Sequence, residues 1–466
     1  MNIKKITSKV TSNNFALYTN VFLLLGAFIY YFIPSEFNLY ASEKTLNIFF
    51  KIALVGIMLI TFADIWLKRK VLFKNIDKIR VFFLLFASTI VMIYPYKHKM
   101  VLGLSIVLFS LMLLYGLQKR QYIGFHIIMK SLLIFILFVF ASIFWATNTS
   151  EAFKHIDYFV LFLAVPLLSC FYRWKKEEIY IFIYPVFTAF LSLLSLNVIA
   201  YVCLVKYHQK PLFSFLSFSK SYLAPGTNHY EILRWSETFH QSIIGWGLFI
   251  VGVLGYWLYK EKKQKLISIE HISLYAVLLA CVSFMIQARV AMIGIVFFTG
   301  LFIWVELMKK INSRGPIFIY TTIITILGIL SCYWIFTETP YFNDEIRHTM
   351  NNAAIQFFPQ HFWIGGGANY EIEVIQSVNY EFNKLHNIFL SAMVNQGIIG
   401  LILLLLFHFY AIYTGIKYEH LLGIYVFLAF LIFNLTEDVL GYPICGLFFL
   451  FTLIPFEKEQ INQIQK

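Results

Sequence analysis

The chain has 466 residues, of which 60% are hydrophobic, 19% aromatic and only 13% charged, and its mean hydropathy is +0.73. A water-soluble domain carries about 25% charged residues, so the composition excludes a soluble enzyme, a disordered tail and a nucleic-acid binder. The net charge of +13 therefore needs a reading other than nucleic acid.

Apolar runs of about 16–24 residues, long enough to cross a bilayer as helices, alternate along the chain with polar connectors. They predict an all-α polytopic membrane protein with about 14 (12–14) transmembrane helices. In chain order the runs lie near residues 15–33, 46–66, 81–96, 100–117, 126–146, 157–172, 179–205, 242–259, 271–287, 290–308, 316–336, 387–410, 421–435 and 439–456. The first follows a basic start (Lys4, Lys5, Lys9) like that of a secretion signal. No small-x-small cleavage site comes after it, so it reads as a retained span.

Lysine and arginine set the orientation. If the faces alternate from a cytoplasmic amino terminus, one face receives Lys68 to Arg80, Lys119/Arg120, Arg173/Lys175/Lys176, Lys260 to Lys265, Lys309/Lys310/Arg314, Lys417 and Lys458. That bias places both termini in the cytoplasm and explains the basic excess without a nucleic-acid partner. The cysteines (Cys170, Cys203, Cys281, Cys332, Cys445) all fall in apolar runs with no CxxC spacing, which argues against a disulfide framework or a zinc site.

The connectors divide the chain into amino-terminal helices (1–205), a long outer loop (206–241), central helices (242–336), a second long outer loop (337–386) and carboxy-terminal helices (387–466). The two periplasmic loops hold most of the histidine, arginine and acid that topology leaves unexplained. Mid-membrane positions are nearly free of ionisable groups. A transporter keeps charges and broken helices near the midplane; chemistry at the outer boundary instead suits an enzyme acting on a lipid-borne head group.

The second loop carries Gly365-Gly366-Gly367, whose positive-φ freedom allows a tight turn or close backbone approach to a ligand. After it, His386-Asn387 is followed by nine residues and then Gly397-Ile398-Ile399-Gly400. The stretch HNIFLSAMVNQGIIGL (386–401) resembles the His-Asn/Ser/Gln-x9-Gly-x-x-Gly signature of the O-antigen ligase / O-antigen polymerase family. Three further pieces are similar to that family: SFMIQARVA, giving Arg289; Thr238-Phe239-His240-Gln241-Ser242, with Arg234 upstream; and Ile364 to Gly367 in the long loop. The resemblance covers about residues 230–410.

It implies a metal-independent, inverting membrane glycosyltransferase without cofactor. The implied donor is a glycan on undecaprenyl diphosphate. The implied acceptor is lipid A–core for a ligase, or a lipid-linked repeat for a polymerase; the ligase is the first expectation. The residues fit this chemistry. Arg234/His240, Arg289 and His386 each stand at the outer start of a predicted helix. Helix amino termini and guanidinium forks both favour phosphate, so Arg289, Arg234 and Arg347 are candidate diphosphate ligands. His386 is the candidate general base, and His240, Gly365, Gly367 and Asn387 are possible substrate contacts. Glu437-Asp438 reads first as an ordinary acid pair at a helix start, with orientation of a base or binding of the acceptor as the alternative. The competing classes are a polysaccharide or lipid-linked oligosaccharide transporter and a non-catalytic envelope scaffold.

Overall fold

A computed structural model describes residues 14–34, 43–95, 98–120, 122–207, 209–213, 241–261, 266–286, 288–308, 345–382, 384–437, 439–440 and 442–457, with isolated positions at 319, 322, 323 and 326. Among them the regular structure is helical throughout. The helices are α1 (Phe15–Phe32), α2 (Glu43–Leu72), α3 (Lys78–Ile93), α4 (His98–Lys119), α5 (Ile127–Ala141), α6 (Thr149–Ser169), α7 (Lys176–Tyr207), α8 (Gln241–Lys260), α9 (Ile269–Met285), α10 (Arg289–Met308), α11 (Glu345–Phe357), α12 (Tyr370–Gln376), α13 (Ile388–Lys417), α14 (Leu421–Asn434) and α15 (Pro443–Thr452). Each predicted apolar run is a helix except that near 316–336, which lies outside the described residues but for the isolated positions.

Among the described residues, five helical stretches are long and apolar enough to cross a membrane: Phe15–Phe32, Met100–Lys119, Ile127–Trp145, Lys176–Tyr207 and Ile388–Lys417. The shorter apolar helices, α14 and α15 among them, pack within the same bundle. Boundaries shift where a local signal overrides hydropathy. The run near 439–456 shortens to α15 because Pro443 takes its first turn, where the proline ring presets helical φ and no amide is missed.

α7 is the axis. Apolar on all sides, it is buried almost throughout and packs against α1, α2, α3, α8 and α9, as expected of a helix without a polar face. Its rings Phe182, Phe187 and Phe190 pack with Phe451 of α15, Tyr275 of α9 and Gly247 of α8. α2 outruns its predicted span, which puts Lys68 inside the bundle rather than in a loop. Lys68 Nζ lies 3.5 Å from Asp64 and 3.1 Å from the Leu266 carbonyl, and Tyr184 of α7 bridges it to Asp64. All three side chains are buried. Such a charge pair inside the bundle is expensive unless each member is partnered.

α5 and α13 run antiparallel and define two ends. At one, Ser142 after α5 meets the first half of α13 and the connector before it: Gln396 donates to Ser142 Oγ and Ala368 N to Ser142 O. At the other, His126 before α5 meets Tyr418 after α13 edge-on, with ring centroids 6.3 Å apart. Lys74, Arg80, Arg120, Arg173 and Lys175 gather around a basin at this second end, where Arg173 donates to the Gly124 carbonyl.

Candidate active site

The first end of the bundle carries the predicted chemistry. Asn387 is the amino-terminal cap of α13: its Oδ1 accepts from Phe389 N (3.0 Å) and Leu390 N (3.2 Å), satisfying two of the donors that every helix start leaves open. Its Nδ2 donates to the Leu435 carbonyl at 3.1 Å, tying this start to the chain after α14. Both ends of the Asn387 side-chain amide are thus engaged by the protein. His386, one residue earlier, sits at φ +57°, a left-handed conformation that turns its ring out of the helix line.

The ring meets Glu437. His386 Nδ1 is 2.9 Å from Glu437 Oε2, while the other oxygen, Oε1, accepts from Arg347 Nη2 at 2.6 Å. Arg347 Nη1 also donates to the Thr436 carbonyl at 2.7 Å. Glu437 is 5% exposed, against 19% for the His386 side chain and 29% for that of Arg347. One buried carboxylate thus joins a cation and an imidazole. A carboxylate oxygen only accepts, so Nδ1 carries the proton in this bond, and in the neutral ring Nε2 is the basic nitrogen.

A second carboxylate braces the approach to His386. Glu371 of α12, also buried, accepts from Leu385 N (3.1 Å), Ser391 Oγ (2.6 Å) and Asn395 Nδ2 (3.2 Å), and its own amide donates to Asn395 Oδ1 at 2.8 Å. It holds the residue before His386 against the first two turns of α13. Sequence reasoning passed over Glu371, because α12 is too short to show a period and its acids look solvated.

The glycines prove to be packing residues. At Gly397 (φ +68°, ψ −163°) α13 breaks. The amides of Ile398 and Ile399, which would continue the helix onto the Val394 and Asn395 carbonyls, donate instead to Phe362 O (2.8 Å) and Trp363 O (3.2 Å). The two carbonyls so released accept from Gly366 N and Gly367 N, both at 3.0 Å. A Cβ on Gly397 would stand 2.5 Å from the backbone of Trp363 and Gly365, one on Gly365 2.3 Å from Asn395, and one on Gly367 2.5 Å from Ala146. Gly365 and Gly367, expected as substrate contacts, face protein backbone and are buried.

Arg289 opens α10 at the same end as His386. Its neighbour Ala288 packs on Gly245 near the start of α8, and further along Phe249 of α8 pairs with Phe433 near the end of α14 at 5.7 Å. Arg347 comes into direct contact with the His386 site through Glu437, a carboxylate partner that sequence reasoning did not assign to it. Arg234 and His240 lie outside the described residues.

With this arrangement in view, residues 274–405 match the family model described as O-antigen ligase. The match spans Arg289, the long connector, His386 and the break at Gly397, and it agrees with the resemblance read from the sequence. No curated protein matches the chain.

Proposed function

We propose that the chain, which carries the O-antigen ligase domain over 274–405, transfers a glycan from undecaprenyl diphosphate to an acceptor hydroxyl at the periplasmic face of the inner membrane, with lipid A–core as the first candidate acceptor. The observation that carries this reading is the Arg347–Glu437–His386 chain at the start of α13. The reaction is a displacement at the anomeric carbon. The acceptor oxygen forms the new glycosidic bond, the bond from that carbon to the phosphate oxygen breaks, and undecaprenyl diphosphate departs with the electron pair. His386 Nε2 takes the acceptor proton while Glu437 balances the imidazolium that forms; base catalysis of this kind contributes about 10²–10⁴ in rate.

The leaving diphosphate needs cations and no metal. Arg289, at the amino terminus of α10, supplies a charged fork beside a positive helix end, with Arg234 as its expected companion. Arg347 holds Glu437 and lends its charge to the same end of the bundle. Attack from the face opposite the diphosphate inverts the anomeric centre.

The test is transfer from a purified lipid-linked donor by the detergent-solubilised chain. His386→Ala is expected to lower turnover by about 10²–10⁴ and Arg289→Ala by about 10²–10³. Near-normal turnover in both variants would rule out this site. Offering lipid A–core and a second lipid-linked glycan as rival acceptors separates ligase from polymerase. Movement of the unaltered donor across the membrane would identify a transporter instead.

A further inference from the structure

Beside the break in α13 lies an apolar surface that the proposed chemistry does not use. Residues 358–364 read Phe-Pro-Gln-His-Phe-Trp-Ile, without an acid, lysine or arginine. The segment turns through a short 3-10 helix (Phe358–His361) and presents Phe362, Trp363 (69% exposed) and Ile364 outward. Phe362 packs between Phe358 and Trp363, with ring centroids 5.1 Å away on each side. A contiguous exposed aromatic patch of this kind marks an interaction surface.

Two apolar stripes lead into it. Along α13, Ile402, Leu405, Phe409, Tyr413 and Ile416 are exposed, and the stripe climbs through Ile399, whose amide is bonded to the Trp363 carbonyl. Along α5, Ile134 and Leu137 are exposed and lead to Phe144, 90% exposed. The next residue, Trp145, donates Nε1 to the Ile364 carbonyl at 3.1 Å. Both helices are among those long and apolar enough to cross a membrane. The patch is thus the upper end of two membrane-facing surfaces.

We propose that residues 358–364, with Phe144 and Trp145, are embedded at the boundary between head groups and acyl chains of the leaflet on the His386 side. Part of the long connector is then a membrane-interface anchor rather than a water-facing loop. Aromatic side chains favour this depth. Backbone placed there favours polar groups satisfied by protein, and four successive carbonyls of the segment are. The carbonyls of His361, Phe362, Trp363 and Ile364 accept from Gly365 N, Ile398 N, Ile399 N and Trp145 Nε1 respectively. This inference rests on the chain's residence in a membrane and is independent of the reaction proposed above.

The test uses the full chain in nanodiscs of phosphatidylethanolamine and phosphatidylglycerol. Trp363→p-benzoylphenylalanine is irradiated and analysed by mass spectrometry, with Phe409→p-benzoylphenylalanine as the internal standard for a membrane-facing position. Phospholipid adducts at 363 in yield comparable to those at 409 are expected. Adducts at 409 with none at 363, or cross-linking of 363 to a second copy of the chain, would overturn the proposal. Trp363→Phe provides a second readout. It is expected to lose a component of the tryptophan quenching produced by lipids brominated near the head group, and unchanged quenching would count against the anchor.

Discussion

At the scale of single residues, the site is a contest over one carboxylate. Glu437 is shared between Arg347 and His386, so its removal acts on the imidazole through tautomer and orientation. Glu437→Gln is expected to cost transfer on the order of 10²–10⁴, by analogy with amide replacement of the triad aspartate in serine proteases. The loss should appear in kcat rather than KM, with an altered pH–rate profile; a purely structural role would leave that profile in place. Asn387→Ala removes a cap that serves two amides and should lower stability by about 1 kcal/mol, read as a fall in detergent-solubilised melting temperature.

His386 and Asn387 were legible because their spacing to Gly397 and Gly400 is a local pattern. Glu437 was legible only as a second reading: it lies beyond the whole of α13 and α14, and in the sequence it looks first like the acid that commonly starts a helix. The link from Arg347 to Glu437 was not legible, because 90 residues separate the two.

At the scale of elements, the helices were readable from hydropathy and their internal irregularities were not. A run of apolar residues predicts a helix over 387–410, and the polar pair Asn395-Gln396 before Gly397 is too short an interruption of that run to mark the break. The three glycines 365–367 and Gly397 are two halves of one joint, and sequence reasoning met them as separate motifs. Gly397→Ala is expected to cost at least about 1–3 kcal/mol, the scale of a strained backbone position, with the displaced loop becoming open to proteolysis near 361–368. Gly26→Ala in α1, which has nothing within 4 Å of the added carbon, should be neutral or slightly stabilising by the same assay.

The buried Asp64–Lys68 pair offers a second test at this scale. Asp64→Asn leaves Lys68 with an uncompensated charge and is expected to destabilise by about 3–5 kcal/mol. Replacing both members together by leucine and methionine should cost less. Sequence reasoning placed Lys68 in a basic loop because three cations follow one another there; the helix simply continues beneath them to Leu72.

At the scale of the whole molecule, the two ends of the bundle differ in chemistry. Lys74, Arg80, Arg120, Arg173 and Lys175 line the basin at one end together with Asp77, Glu177, Glu178 and Glu457, while His386, Glu437 and Glu371 stand at the other. The positive-inside rule counts lysine and arginine rather than net charge, and the topology proposed on it puts the basin in the cytoplasm. Labelling of intact cells with a membrane-impermeant maleimide should mark Glu373→Cys and spare Lys74→Cys. The native cysteines Cys170, Cys203, Cys281 and Cys445 are buried or half-buried, which keeps the background low; the fifth, Cys332, lies outside the described residues and is replaced by serine in both variants. The reverse pattern would invert the proposed topology and move the site to the cytoplasmic face.

The joint at Gly397 also sets a rule for anyone recombining such chains. Val394, Asn395, Ile398 and Ile399 have surrendered their own helical bonds and find replacements only in residues 362–367. Grafting a foreign connector onto this scaffold without the matching stretch of α13 strands four main-chain groups at once. Swaps intended to exchange acceptor preference must therefore carry 361–368 and 394–399 as one inseparable cassette.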